Sequence, residues 1–244
     1  MKRLTLPVIA FAVLLVIWGN GVASLLGPSA WLPGGSWSFV VAGLLLIAVS
    51  LVAARAMGLD AASIGLAGDP LRGALLGLGA GLSFGLLGVV AFRVLGPAVV
   101  GRAIEYAPLA TITGPELARH SVFFLPLGDI FSEEIAFRGV LLGALAGGLV
   151  SRWAILASGV VFALWHIGVV FVTIGDTTLG RPSPWFLPAV CGALIIVLVG
   201  GAAFAWLRLR THTLATPIAA HWAFNVSLLV GLWSVQQPSL LECC

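Results

Sequence analysis

The sequence places side chains that could do chemistry inside segments that are otherwise apolar. Three groups each contain two residues four positions apart: Glu134 and Arg138 directly after Glu133, then Phe162 and His166, then His221 and Asn225. Ionisable groups are costly at bilayer depth, so they usually face a bundle interior or a water-filled cavity and serve a function. Carboxylate, imidazole and amide groups can together hold a water, accept its proton and stabilise an anion. The sequence therefore predicts a polar site within a membrane protein.

The composition places the chain among membrane proteins. Of its 244 residues, 60% are hydrophobic and 9% are charged, whereas about a quarter of the residues of a soluble domain are charged. The basic residues are scattered singly, so the net charge of +3 does not predict binding to nucleic acid. The cysteines predict no disulfide framework. Cys191 lies in an apolar run, and Cys243 and Cys244 are expected to belong to a frayed tail.

Apolar segments of about 20 residues, the length that crosses a bilayer as a helix, predict an all-α fold. They lie at residues 5–26, 37–57, 72–95, 120–147, 152–173, 185–207 and 213–233. Gly96-Pro97 is expected to end the third segment, and a short helix within 97–116 would be an additional element. We predict a polytopic bundle of about seven to eight transmembrane helices around an intramembrane polar cavity.

The positions of lysine and arginine predict the orientation in the membrane. With the N-terminus inside, seven of these residues fall on the inner side and four on the outer side, and Arg138 stays within the membrane. This bias predicts an integral membrane protein with a cytoplasmic N-terminus, and the Gly- and Ala-rich composition suggests a bacterial cell membrane. We divide the chain into N-terminal transmembrane helices without a motif (1–115), a catalytic transmembrane core (116–235) and a C-terminal tail (236–244).

Helical geometry separates the two adjacent glutamates. Glu134 and Arg138 share a helix face and can form an ion pair. Glu133 is rotated by about 100° from Glu134, which leaves its carboxylate free for general-base work. Asp129 lies one turn before Glu133 and either joins the site or caps a kink near Pro126.

The depths of the polar groups in the predicted helices are similar. At a rise of about 1.5 Å per residue, Glu133 and His166 each lie about 21 Å from the inner ends of their helices. His221 lies about 13 Å from the inner end of its helix. The three side chains are therefore expected to converge near the middle of the membrane.

The three groups, taken in order, resemble the motifs of a known family. Glu133-Glu134-x-x-x-Arg138, Phe162-x-x-x-His166 and His221-x-x-x-Asn225 are similar to those of the CPBP intramembrane protease family. That family includes the CAAX prenyl endopeptidases and bacteriocin-processing or self-immunity proteins of the ABI type. The resemblance covers roughly residues 120–230.

The resemblance implies an intramembrane endopeptidase. By it, Glu133 and His166 would activate the water that attacks a peptide carbonyl. His221 and Asn225 would stabilise the oxyanion that forms. The remaining motif residues would support the site: Glu134, Arg138 and Phe162. These roles agree with what hydrolysis needs, namely a base, a held water and donors aimed at the developing charge.

The motif residues are less specific about a cofactor and about partners. Glu133, His166 and His221 could hold a catalytic zinc ion, which takes three protein ligands and keeps one open position. However, no helix carries the His-Glu-x-x-His pattern in which one helix supplies two ligands. We expect no cofactor, with zinc as the alternative. The expected partners are the lipid bilayer and a peptide or membrane-protein substrate, and the resemblance admits a prenylated one.

Two other functions also fit intramembrane polar groups. A transporter or proton relay uses buried Glu and His as well, although the chain shows no clear inverted repeat. A non-catalytic immunity or scaffold protein would keep the polar cluster only for contact with a partner. Replacement of Glu133 distinguishes the three functions. It should abolish cleavage by a peptidase or flux through a transporter, and it should leave the activity of a scaffold protein intact.

Overall fold

The computed structural model describes residues 5–26 and 37–236, and these residues form eight helical stretches. They are α1 (Leu6–Leu26), α2 (Trp37–Ala56), α3 (Pro70–Val100), α4 (114–148), α5 (Ser151–Trp165), α6 (Ile167–Gly175), α7 (Phe186–Thr211) and α8 (Ala215–Gln236). Within the described ranges there is no β-strand, only two isolated bridges. The predicted tail at Cys243 and Cys244 lies outside the described residues.

The helices confirm an all-α, polytopic membrane bundle. In the part of the chain that the structure describes, α1, α2, α3, α7 and α8 are each long and apolar enough to cross a membrane. The pair α5 and α6 would add one span if the two are taken together. Stretch α4 differs, because it contains buried charged groups and alternates between α-helical and π-helical segments. The predicted number of spans and the cytoplasmic N-terminus stay predictions.

One predicted helix end was wrong, and two other predicted segments are less regular than expected. Helix α3 continues past Gly96-Pro97 to Val100, because Pro97 falls in its last turns and the helix ends instead where Gly101 adopts a φ of 75°. The predicted span 152–173 is bent by 48° at His166, between α5 and α6. The additional element within 97–116 is only a 3₁₀ turn, Ala107–Ala110.

Glycines bring α3 close to α8, the helix that carries His221 and Asn225. Gly73, Gly77, Gly81 and Gly85 recur every four residues and so line one face of α3. A Cβ on each of these glycines would overlap α8, at the Thr216 hydroxyl for Gly73, the Thr216 carbonyl for Gly77, the Ala220 carbonyl for Gly81 and the Ser227 side chain for Gly85. Small residues allow such close approach between membrane helices. These glycines therefore serve the close packing of α3 against α8.

The apolar core lies where α1, α2, α4 and α5 meet. Leu15 of α1, Leu46 of α2 and Phe137 of α4 are almost completely buried there, and Phe162 and Trp165 of α5 complete the cluster. By contrast, the outer face of α3 is rich in exposed leucines, as expected for a surface that faces lipid. The N-terminal helices are therefore part of the same core as the charged stretch α4.

Candidate active site

Stretch α4 carries both glutamates and departs from a regular α-helix around them. It begins behind Thr113, whose backbone N–H and hydroxyl donate to the Glu116 carboxylate at 2.9 and 2.8 Å. These two bonds hold the pKa of Glu116 below its ordinary value. π-Helical turns follow at 120–124, 126–130 and 134–141, and Glu133 ends the short α-helical segment before the last of them. Such π-turns are rare and occur often at functional sites.

Glu134 is held in a closed ion-pair cluster. Its Oε1 accepts from Arg138 Nη1 at 3.0 Å and from His221 Nδ1 at 2.8 Å, and both Glu134 and Arg138 are fully buried. The guanidinium carbon of Arg138 lies 4.0 Å from the centroid of the Phe162 ring. Its Nη2 also reaches the Gly201 carbonyl at 3.5 Å. The pairing of Glu134 with Arg138 is as predicted, and it extends across the bundle to α8 through His221.

Glu133 points away from that cluster and has different partners. Its Oε1 accepts a hydrogen bond from Trp165 Nε1 at 3.2 Å, and His166 Nε2 lies 3.7 Å from the same oxygen. The Asp129 carboxyl is also within hydrogen-bonding reach of Glu133. Asp129 therefore joins the site rather than capping a kink. A hydrogen bond between two carboxyl groups requires that one of them carries a proton.

His166 occupies the bend between α5 and α6. Its Nδ1 lies 2.8 Å from the Phe162 carbonyl oxygen, which can only accept, so Nδ1 carries the hydrogen. In a neutral imidazole the other nitrogen is then an acceptor, and this Nε2 faces Glu133. The ring stacks on Phe162 with centroids 4.3 Å apart. The His166 side chain is 14% exposed, whereas Glu133 is sealed from the outside.

A small cavity opens at the Glu133 carboxyl group. It has a volume of about 20 Å³, enough for one water, which needs about 10–15 Å³ by this measure. Its polar lining comes from Asp129, Ser132, Glu133 and Trp165, and most of its remaining walls come from α1 and α2. A cavity needs two or more polar partners to hold a water, and this one has them. The helices predicted to carry no motif thus help to enclose the site.

Phe162 connects the two halves of the site. Its ring contacts His166 on one side and lies 6.4 Å, centroid to centroid, from the His221 ring. Asn225 lies one turn after His221 on α8 and is half-buried. Its side chain makes no hydrogen bond to any of the described residues, so its amide is free to contact a substrate. All seven residues singled out from the sequence are therefore on the helices that meet at this site.

The donor groups do not form a metal site as they are arranged. Among the described residues, no group of three or more His, Cys, Asp or Glu side chains could hold a metal ion. His221 Nδ1 and Arg138 both bond to Glu134, and His166 Nδ1 bonds to a backbone carbonyl. The set Glu133, His166 and His221 is thus divided between two clusters instead of converging on one point.

At the site, Trp165 was not assigned a role from the sequence, and Asp129 was given two alternative roles. Trp165 donates directly to Glu133, and Asp129 adjoins it. Each had a detectable signal, since a buried indole N–H needs a partner and Asp129 precedes Glu133 by one helical turn. The sequence did not show that Trp165 N–H would point at a carboxylate, because this contact joins residues 32 positions apart.

Comparisons with known proteins agree with the resemblance seen in the motifs. A family model described as "Type II CAAX prenyl endopeptidase Rce1-like" matches residues 116–227. The match begins at the start of α4 and ends on α8 just after Asn225, so it contains every residue of the two clusters. No curated protein and no solved structure matches the chain.

Proposed function

We propose that this membrane protein hydrolyses a peptide bond with a water activated by Glu133 and His166, because residues 116–227 match the family model of Rce1-like type II CAAX prenyl endopeptidases. One observation supports this assignment above all. Two proton acceptors, Glu133 Oε1 and His166 Nε2, lie 3.7 Å apart, and Glu133 also borders the water-sized cavity. Both can hydrogen-bond to a single water, since each needs the water oxygen at about 2.8 Å.

The activated water would be oriented by these two acceptors. A water that donates one hydrogen to Glu133 and the other to His166 keeps its lone pairs free for the substrate carbonyl. Trp165 N–H donates to the same carboxylate oxygen and holds it in place, and the Phe162 carbonyl fixes the tautomer of His166. The chemical gain is general-base catalysis by groups that are already in place when the substrate arrives.

His221 and Asn225 would stabilise the oxyanion. The Asn225 amide supplies N–H donors that no other described residue occupies. His221 Nδ1–H donates to Glu134, so only a doubly protonated ring presents Nε2–H to the substrate. The hydrogen bond to Glu134 fixes the orientation of the His221 ring.

The hydrolytic step balances without a covalent intermediate. The water oxygen forms a bond to the carbonyl carbon, and its proton passes to the Glu133 and His166 pair. The carbon–nitrogen bond then breaks, and the same pair returns the proton to the departing amine. The scheme routes no step through a metal ion.

The proposed substrate is a peptide presented at the membrane. The family description names prenylated CAAX ends, so a peptide with a farnesylated C-terminal CAAX sequence is the first probe. Leader peptides or membrane proteins are the alternatives. The proposed location is a bacterial cell membrane with the N-terminus on the cytoplasmic side.

The test is cleavage of the farnesylated peptide by the purified full-length protein in liposomes, followed by mass spectrometry. Glu133→Gln and His166→Ala should each lower the rate by about 10²–10⁴-fold, the usual contribution of a general base. Glu116→Gln is the matched control, because it alters a carboxylate on the same stretch but preserves a capping box. Full activity in Glu133→Gln would refute the mechanism.

If the farnesylated peptide is not cleaved, substrate trapping identifies the natural substrate. Glu133→Gln in its native membrane should retain uncleaved proteins that the active protein removes, and proteomics would detect them. A set of retained proteins that does not differ between Glu133→Gln and Glu116→Gln would contradict peptidase activity. A proton or solute flux that Glu133→Gln abolishes would favour the transporter instead.

A further inference from the structure

The bend at His166 breaks the regular hydrogen bonding of α5 and α6. In a continuous α-helix the Gly168 N–H would donate to the Leu164 carbonyl. At this bend both backbone groups bond instead to one side chain of another helix, α1. Gly168 N–H donates to Asn20 Oδ1 at 2.8 Å, and Asn20 Nδ2 donates to the Leu164 carbonyl at 2.9 Å.

The Asn20 amide therefore takes the place of the missing helical bond. Its second Nδ2 hydrogen goes to the Val16 carbonyl of its own helix at 2.8 Å, which holds the amide in one orientation. An exchange of the amide O and N would place an oxygen against two carbonyls and a nitrogen against an N–H, so the assignment is fixed by its partners. Polar side chains in membrane helices satisfy backbone groups freed at breaks in this way.

We propose that Asn20 is a positioning residue for the active site, which acts by fixing the bend that aims His166 at Glu133. This rests on the proposed function. His166 lies midway between Leu164 and Gly168, the two residues that the Asn20 amide joins. A change in the bend would move His166 Nε2 relative to Glu133 Oε1, although Asn20 touches neither residue.

A second contact of α1 acts on the neighbouring side chain. Gly19 packs against the face of the Trp165 indole, and a Cβ at Gly19 would overlap that ring. Trp165 donates to Glu133. The adjacent residues Gly19 and Asn20 therefore contact two neighbouring parts of the site, Trp165 and the bend at His166. A motif-free helix thereby holds both the hydrogen bond to Glu133 and the position of His166.

The inference is tested by three variants of the full-length protein in liposomes. Asn20→Leu keeps the side-chain size but removes both bonds, and it should lower kcat by about 10–100-fold, as a displacement of about 1 Å does, with KM unchanged. Ser24→Ala is the control, because Ser24 is exposed on the same helix and bonds only to the Asn20 carbonyl. It should keep full activity.

Asn20→Asp separates positioning from packing. A protonated carboxyl group retains one donor for the Leu164 carbonyl and one acceptor for Gly168 N–H, whereas a carboxylate loses the donor. The ratio of its kcat to that of the unaltered protein should therefore rise as the pH falls. A ratio that does not change with pH would overturn the inference, and this comparison still decides if Asn20→Leu fails to insert.

A measurement without catalysis separates this inference from the proposed function. Hydrogen–deuterium exchange at Gly168 should be faster in Asn20→Leu than in Ser24→Ala, since its amide loses its acceptor. Unchanged exchange at Gly168, or full activity of Asn20→Leu beside an inactive Glu133→Gln, would refute the role of Asn20. The unaltered protein could instead be inactive, while the Gly168 amide exchanges faster only in Asn20→Leu. That result would refute the proposed function but not the structural role of Asn20.

Discussion

Glu133 and Glu134 are consecutive residues, yet their surroundings differ in nearly every respect. Glu134 shares one oxygen between Arg138 and His221 in a closed cluster. Glu133 receives one indole N–H, faces His166 at 3.7 Å and borders a cavity large enough for a water. Burial alone therefore does not distinguish the two carboxylates, because both are almost fully buried.

The difference shows how one stretch can separate structure from chemistry. Buried charges that pair across helices hold those helices together, whereas a carboxylate with a water-sized space beside it can exchange protons. The two halves also rest on different helices. The Glu133 half is enclosed by α1, α2 and α5, and the Glu134 half is joined through His221 to α8, which packs on α3.

The largest expected effect is on the Glu134 half. Arg138→Leu leaves a buried carboxylate without its arginine, and loss of one partner from a buried pair costs about 3–5 kcal/mol. Thermal unfolding in detergent should show a large loss of stability, accompanied by loss of activity. Arg210→Leu, which removes an exposed arginine from α7, should leave stability nearly unchanged. Equal stabilities of the two variants would contradict the structural role of the cluster.

A smaller effect is expected in the Glu133 half. Trp165→Phe removes the N–H donor to Glu133 but keeps an aromatic ring in the core, so kcat should fall by about tenfold, in line with about 1.5 kcal/mol for a hydrogen bond to a charged group. Trp233→Phe is the control, since it removes a comparable indole bond to the Ile112 carbonyl at 2.9 Å. An equal loss of activity in both variants would show that the effect is not specific to Glu133.

The smallest expected effect is transmitted from α3. In Gly81→Ala the new methyl group meets the Ala220 carbonyl, next to His221, so α8 must shift. Overpacking of this kind costs about 1–3 kcal/mol, and we expect a severalfold decrease in kcat with little effect on KM. Gly79→Ala is the control, because its Cβ would meet nothing within 4 Å. A larger effect in Gly79→Ala would contradict the glycine contact between α3 and α8.

The sequence predicted those features that follow from local geometry. Apolar length gave the helices, and spacing by four placed Glu134 beside Arg138 and turned Glu133 away. Each of these depends on residues within one or two turns of one another.

Features that depend on long-range contacts were not predicted. The bond between His221 and Glu134 joins residues 87 positions apart, and the contact between Asn20 and Leu164 spans 144. The π-turns of α4 and the bend at His166 also escaped prediction, and at the bend the freed backbone groups bond to Asn20 of another helix. Asn20 itself had one signal, a polar side chain within an apolar helix.

The most direct test of the account compares Glu133→Gln with Glu134→Gln in two assays, peptide cleavage in liposomes and thermal unfolding. Glu133→Gln should lose about 10²–10⁴-fold in kcat and keep its stability, because Gln can still accept from Trp165. Glu134→Gln should lose about 3–5 kcal/mol of stability and only about 10–100-fold in kcat, as expected for a group that orients another. The opposite pattern, with Glu133→Gln unstable but active and Glu134→Gln stable but inactive, would contradict it.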